Sequence, residues 1–181
     1  MAQWDELKLH FQLCRVDEKC YDAEILYGMY NDPVNKLYLQ FLTPILQQIF
    51  KTNNLFQMER GNHYVLQNNL LVFFRSLISR FLIPAFVPPS DERLVEVDLT
   101  DSSKFLPLSA IDFGAIFHLE LNQLPPTVQR QAVTDVQNRC MRFLLEAAKQ
   151  IQNRLPATIA LWRSITAFSP STILSQVKLE M

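Results

Sequence analysis

Apolar residues recur at steps of three and four along most of the chain. The clearest run is Thr127 to Leu155, where Val133, Val136, Cys140, Phe143, Leu144, Ala147, Ile151 and Leu155 draw one continuous stripe. The spacing predicts a long helix with one face in a core. Pro125-Pro126 suits its start, because a proline at the first helical position lacks only an N–H that had no partner, and Pro156 stops it at Leu155. The opposite face carries Asp135, Arg139, Arg142, Glu146, Lys149 and Arg154, the composition of a solvated surface.

The same periodicity predicts further helices. Trp4, Leu7, Phe11 and Cys14 mark a first helix over Gln3 to Arg15, and Tyr21, Ile25, Leu26 and Met29 a second over Cys20 to Tyr30. Asp32-Pro33 supplies a cap and first-turn proline for a third, running through Leu37, Phe41, Ile45 and Ile49 toward Phe56, with a kink expected near Leu42 from Pro44. After a Gly61-Asn62 turn, Leu66, Leu70, Phe73, Phe74, Leu77 and Phe81 mark a fourth helix, Tyr64 to Leu82. Ser109 and Asp112 resemble the start of a short helix toward Leu121, and the long helix is followed by another over Thr158 to Phe168 and a terminal turn through Val177.

One stretch breaks the pattern. Residues 84–107 form a Pro-rich acidic loop in which Val95, Val97 and Leu99 alternate with polar residues, predicting one short strand. The expected architecture is all-α: a single helical domain over 1–181, an irregular bundle of about six to eight helices with one acidic loop and a lone short strand. No N-cap precedes Trp4, so Met1 is expected to lie within what was once a longer helix or in a fragment.

Composition narrows the function classes. A chain of 181 residues can bury roughly 70% of its unfolded surface, so a true core is within reach. Lys+Arg 17 against Asp+Glu 18 gives a net charge of -1, so no global field favours nucleic acid or an anionic membrane. A hydrophobic fraction of 49% with 13 Phe is high enough to supply a buried interface as well as a core. No secretory signal opens the chain, and the longest apolar stretch, Leu70 to Val87, is broken by Arg75, Arg80 and Pro84, short of the ~20 residues a membrane span needs. Three cysteines, Cys14, Cys20 and Cys140, fit free, mostly buried thiols in an intracellular compartment.

Candidate chemistry is sparse. His10 and Cys14 share a helix face and Cys20 follows, but the paired grammar of a structural zinc site and a fourth ligand are missing, so no metal is expected. His63 and His118 read as structural. There is no G-x-S-x-G elbow, and Gly28, Gly61 and Gly114 form no phosphate-cradling loop, so neither nucleophilic catalysis nor a bound nucleotide cofactor is expected. The acids from Asp91 to Asp101 lack the order of a calcium loop and read as a solvated, flexible segment. Arg75, Arg80, Arg139, Arg142, Lys149 and Arg154 form the one candidate nucleic-acid footprint, the last four on the long helix, interspersed with acids and expected to bind only weakly.

Taken in order, several segments resemble the helical region of hAT-type transposase-like proteins, including host proteins that look like domesticated transposons. They are W-D-E-L-K-L-H-F at Trp4 to Phe11, Y-L-Q-F-L-T-P-I-L at Tyr38 to Leu46, N-L-F-Q-M-E at Asn54 to Glu59, L-P-L-S-A-I-D-F-G at Leu106 to Gly114, R-C-M-R-F-L-L-E at Arg139 to Glu146 and Q-N-R-L-P at Gln152 to Pro156. The resemblance covers nearly the whole sequence. In that family an all-helical insertion interrupts an RNase H type core that holds metal with Asp, Asp and Glu. This chain resembles the insertion without the core. The family's Arg-Trp-x-Ser signature is missing, Trp162-Arg163 being the reverse order, and so are its zinc-finger and dimerisation segments.

The resemblance therefore implies a nuclear, non-catalytic, transposase-derived helical module for protein or DNA-associated assembly. A protein partner or self-association is expected, DNA binding weak, with no membrane, cofactor or small-molecule substrate. Two alternatives stand beside it: a fragment of an active hAT transposase whose DNA-cutting core lies in a longer reading frame, and a helical adaptor unrelated to transposition.

Overall fold

The computed structural model describes residues 3–17, 19, 21–57 and 63–155. Within them six α-helices follow one another: α1 (Trp4–Asp17), α2 (Tyr21–Asn31), α3 (Pro33–Gln57), α4 (His63–Ile78), α5 (Ala115–Asn122) and α6 (Arg130–Gln152). Four short 3-10 turns, Pro84–Phe86, Leu94–Glu96, Ser102–Lys104 and Leu108–Ala110, lie between α4 and α5. The fold is all-α, as the periodicity implies, and no strand occurs among the described residues. The Gly61-Asn62 turn, Cys20, Pro156, the helix expected at Thr158 to Phe168 and the turn through Val177 lie outside them.

The chain divides into two compact units, Met1–Gln47 with Asp112–Met141, and Gln48–Ile111 with Arg142–Met181. In the first, α1 and α2 pack as a hairpin through rings: Trp4 and Phe11 meet Tyr30 with centroids 4.5 and 5.4 Å apart. Arg15 lies over the Tyr27 ring at 4.2 Å and reaches Glu24 at 3.2 Å. Asp32 accepts from the Val34 N–H at 2.9 Å and so caps α3. α3 continues through Pro44 as one helix. Leu37, Phe41 and Ile45 on α3, Phe113 and Phe117 near α5, and Val136 and Cys140 on α6 are buried. Phe113 is the hinge pin of this cluster, 6.2 Å edge-on from Phe41 and 5.0 Å from Phe117. α5 starts at Ala115, with Gly114 as its cap, rather than at Ser109: Asp112 accepts from the Gly114 N–H at 2.8 Å, and Gly114 takes φ +97°, a backbone conformation open chiefly to glycine.

In the second unit Phe74, Leu77, Ile78, Phe81, Leu82, Leu94, Leu99, Leu144 and Ala148 are fully or nearly fully buried. Helix α4 ends at Ile78, four residues before the periodicity predicts; the N–H groups of Ser79 to Leu82 still bond to carbonyls three or four residues back, and beyond them the chain bonds to a distant segment. Ile83 N–H donates to Lys104 O at 2.9 Å and Leu106 N–H to Phe81 O at 2.7 Å, making an isolated antiparallel bridge between Leu82 and Phe105. The Phe81 and Phe105 rings meet edge-on at 5.4 Å.

The strand expected at Val95 to Leu99 is a correction. Leu94–Glu96 is a 3-10 turn, and Leu94 within it and Leu99 beyond it are buried. The carbonyls that a neighbouring strand would have paired are taken by one side chain, Gln152 Nε2, which donates to Val95 O at 3.0 Å and Val97 O at 2.7 Å. Two further corrections concern α6. It begins at Arg130, Pro125 instead closing a turn by accepting from the Val128 N–H at 3.0 Å. Its buried stripe is Val136, Cys140, Leu144 and Ala148, leaving Phe143, Ala147 and Ile151 half-buried at the edge.

Candidate functional site

The acidic loop is ordered by side chains rather than free. Arg75 on α4 spreads its guanidinium over the Pro-rich run, donating to Pro88 O, to Pro89 O at 3.3 Å and to Asp91 Oδ1 at 2.9 Å. Further on, two Asp-x-Ser/Thr turns follow in tandem. Asp98 accepts from the Thr100 N–H and hydroxyl at 2.9 and 2.6 Å, and Asp101 from those of Ser103 at 3.0 and 2.6 Å. Lys104 bridges the two carboxylates at 3.4 and 3.3 Å. The Thr100 hydroxyl and N–H hold the Asp98 carboxyl down to about 2. Hydrogen bonds from Ser103 likewise lower that of Asp101, and Asp101, then Asp98, raises the Lys104 ammonium. These carboxylates are already committed to local donors.

A cleft of about 240 Å³ beside this loop is lined by Leu82, Phe86, Pro88, Arg93, Glu96, Val97, Asp98 and Lys104. Its mixed charges and shallow apolar floor aim no nucleophile and base at a common point, the arrangement that covalent catalysis requires. A second groove, about 200 Å³, runs between the end of α3 and α4 past Lys51, Leu55, Asn69, Val72 and Ser76. His118 is packed edge-on against Phe117, with ring centroids 5.8 Å apart. The side chain of His63 is outside the described residues.

Arg139, Arg142 and Lys149 fall on one face of α6 at helical spacing, together with Asp135 and Glu146. Arg139 lies over the Tyr38 ring at 5.4 Å. Burial raises the Tyr38 hydroxyl, helped by Cys140 and opposed by Arg139. Arg154 lies beyond the helix end, its guanidinium turned back onto the Gln150 carbonyl at 2.6 Å and side-chain oxygen at 3.2 Å. Of these basic residues, Arg139 is thus engaged by a ring and Arg154 by the Gln150 carbonyl and side chain. Cys140 is buried, and its thiol is pushed up to about 12, chiefly by desolvation, which makes it inert at neutral pH.

The α1–α2 hairpin carries the most distinctive surface. Rings and Ala23 occupy its inner faces, whereas Leu9, Leu13 and Val16 on α1 and Tyr21, Ile25 and Met29 on α2 are exposed, Val16 at 62% and Tyr21 at 76%. Each trio sits at helical spacing, so each is a stripe and not scattered residues. For α2 this changes most of the expected core face: Tyr21, Ile25 and Met29 are exposed, Leu26 stays half-buried as do Tyr27 and Tyr30, and Ala23 is buried. Beside the α1 stripe lie His10 and Cys14, with Sγ 3.6 Å from Nε2 and 3.9 Å from Nδ1. No group of three or more metal-binding side chains occurs among the described residues, and no helix among them is long and apolar enough to cross a membrane.

The chain was compared with protein-family models, with curated proteins and with solved structures, and none of the three comparisons finds a match.

Proposed function

We propose that this chain is a non-catalytic, transposase-derived helical module that works in the nucleus by assembling with protein or DNA-bound partners. The observation that carries the reading is the pair of exposed aliphatic stripes on the α1–α2 hairpin. A hairpin whose inner faces are already filled by Trp4, Phe11, Tyr27 and Tyr30 has no structural need of Leu9, Leu13, Val16, Ile25 and Met29 outside, and apolar stripes of that kind mark contact surfaces. The order of family-like segments supports the ancestry. The near-balanced charge, with acids among the basic residues of α6, supports weak DNA contact subordinate to protein contact.

The test is sedimentation of the full chain over a concentration series, beside DNA binding at two salt levels and incubation of plasmid with magnesium or manganese. Concentration-dependent association, DNA binding lost with modest salt and no strand cutting are expected. A strictly monomeric protein with tight, salt-resistant DNA binding would overturn the assembly reading, and metal-dependent nicking that survives repurification would overturn the non-catalytic one. Exclusion of a tagged chain from nuclei would remove the localisation.

A further inference from the structure

We draw no further inference here: the strongest candidate, the groove between the end of α3 and α4 with Val72 exposed on its wall, offers Lys51 as its one charged lining residue, and nothing in the structure shows what covers it.

Discussion

The side-chain nitrogen of Gln152 lies 2.7 Å from the carbonyl oxygen of Val97, with the Val95 carbonyl 3.0 Å away on the same atom. One amide at the end of α6 thus satisfies two backbone acceptors from a segment more than fifty residues distant. Both belong to half-buried residues, where an acceptor that loses its donor is costly.

Replacing Gln152 by Leu keeps the bulk and removes both bonds. A loss of about 1–3 kcal/mol in unfolding free energy is expected, with faster amide exchange across Leu94–Glu96. Unchanged exchange there would mean the loop is held by Leu94 and Leu99 alone.

Leu144 and Phe143 are neighbours with different fates. Leu144 is wholly buried, so Leu144→Ala should cost about 2–5 kcal/mol, and Phe143→Ala, half-buried at the stripe's edge, distinctly less. Equal shifts in the denaturation midpoint would place both rows in the core.

Gly114 has open space where a Cβ would go, yet its φ is +97°. Gly114→Ala should therefore destabilise through backbone strain alone, by about 1–3 kcal/mol, and loosen the start of α5. A neutral substitution would show that this turn relaxes freely.

The Asp98 carboxyl, ordinarily 3.8, is held to about 2 first by the Thr100 hydroxyl and then by its N–H. Because the folded value is the lower one, its contribution to stability is complete above 3.8 and is lost as pH falls through about 2. A carbon-detected titration should place the Asp98 midpoint near 2 in the folded chain, and Thr100→Ala should return it toward 3.8. A midpoint insensitive to Thr100 would assign the effect elsewhere.

Arg75→Lys keeps the charge opposite Asp91 but loses the planar fork that spans Pro88, Pro89 and Asp91. The ion pair is partly exposed, so a loss of only about 1 kcal/mol is expected. Limited proteolysis should cut residues 84–107 sooner than in the original chain. Identical digestion patterns would show that the clamp does not restrain the loop.

Much of the helical order is readable from periodicity, since Leu37, Phe41 and Ile45 or Val136, Cys140 and Leu144 repeat at the step of a helix and are buried. Periodicity does not say which edge of a wide stripe lies deepest, so Phe143 looks equivalent to Leu144. It also fails where both faces are apolar. On α2 the large residues Tyr21, Ile25 and Met29 suggest the core side, but a small one, Ala23, is what close approach of helices selects. The alternation of Val95, Val97 and Leu99 looks like a strand because nothing local reveals that Gln152 will capture the carbonyls. In sequence the acids from Asp91 to Asp101 read as a solvated segment, although Asp98 and Asp101 each have a hydroxyl donor two residues on. The spacing of His10 and Cys14 is visible in the sequence, while the distance between Sγ and Nε2 required coordinates.

In the α1–α2 hairpin, cohesion and outer surface are written in different residue classes on different helix faces. Trp4, Phe11, Arg15 and Tyr30 hold the two helices together through rings and a cation, and the aliphatic residues outside take no part in it. Selection can therefore redraw the outer stripes, exchanging Leu, Ile, Val and Met among themselves or for polar residues, without a compensating change inside. The outer surface of this hairpin can thus vary in sequence while the packing between its helices stays fixed.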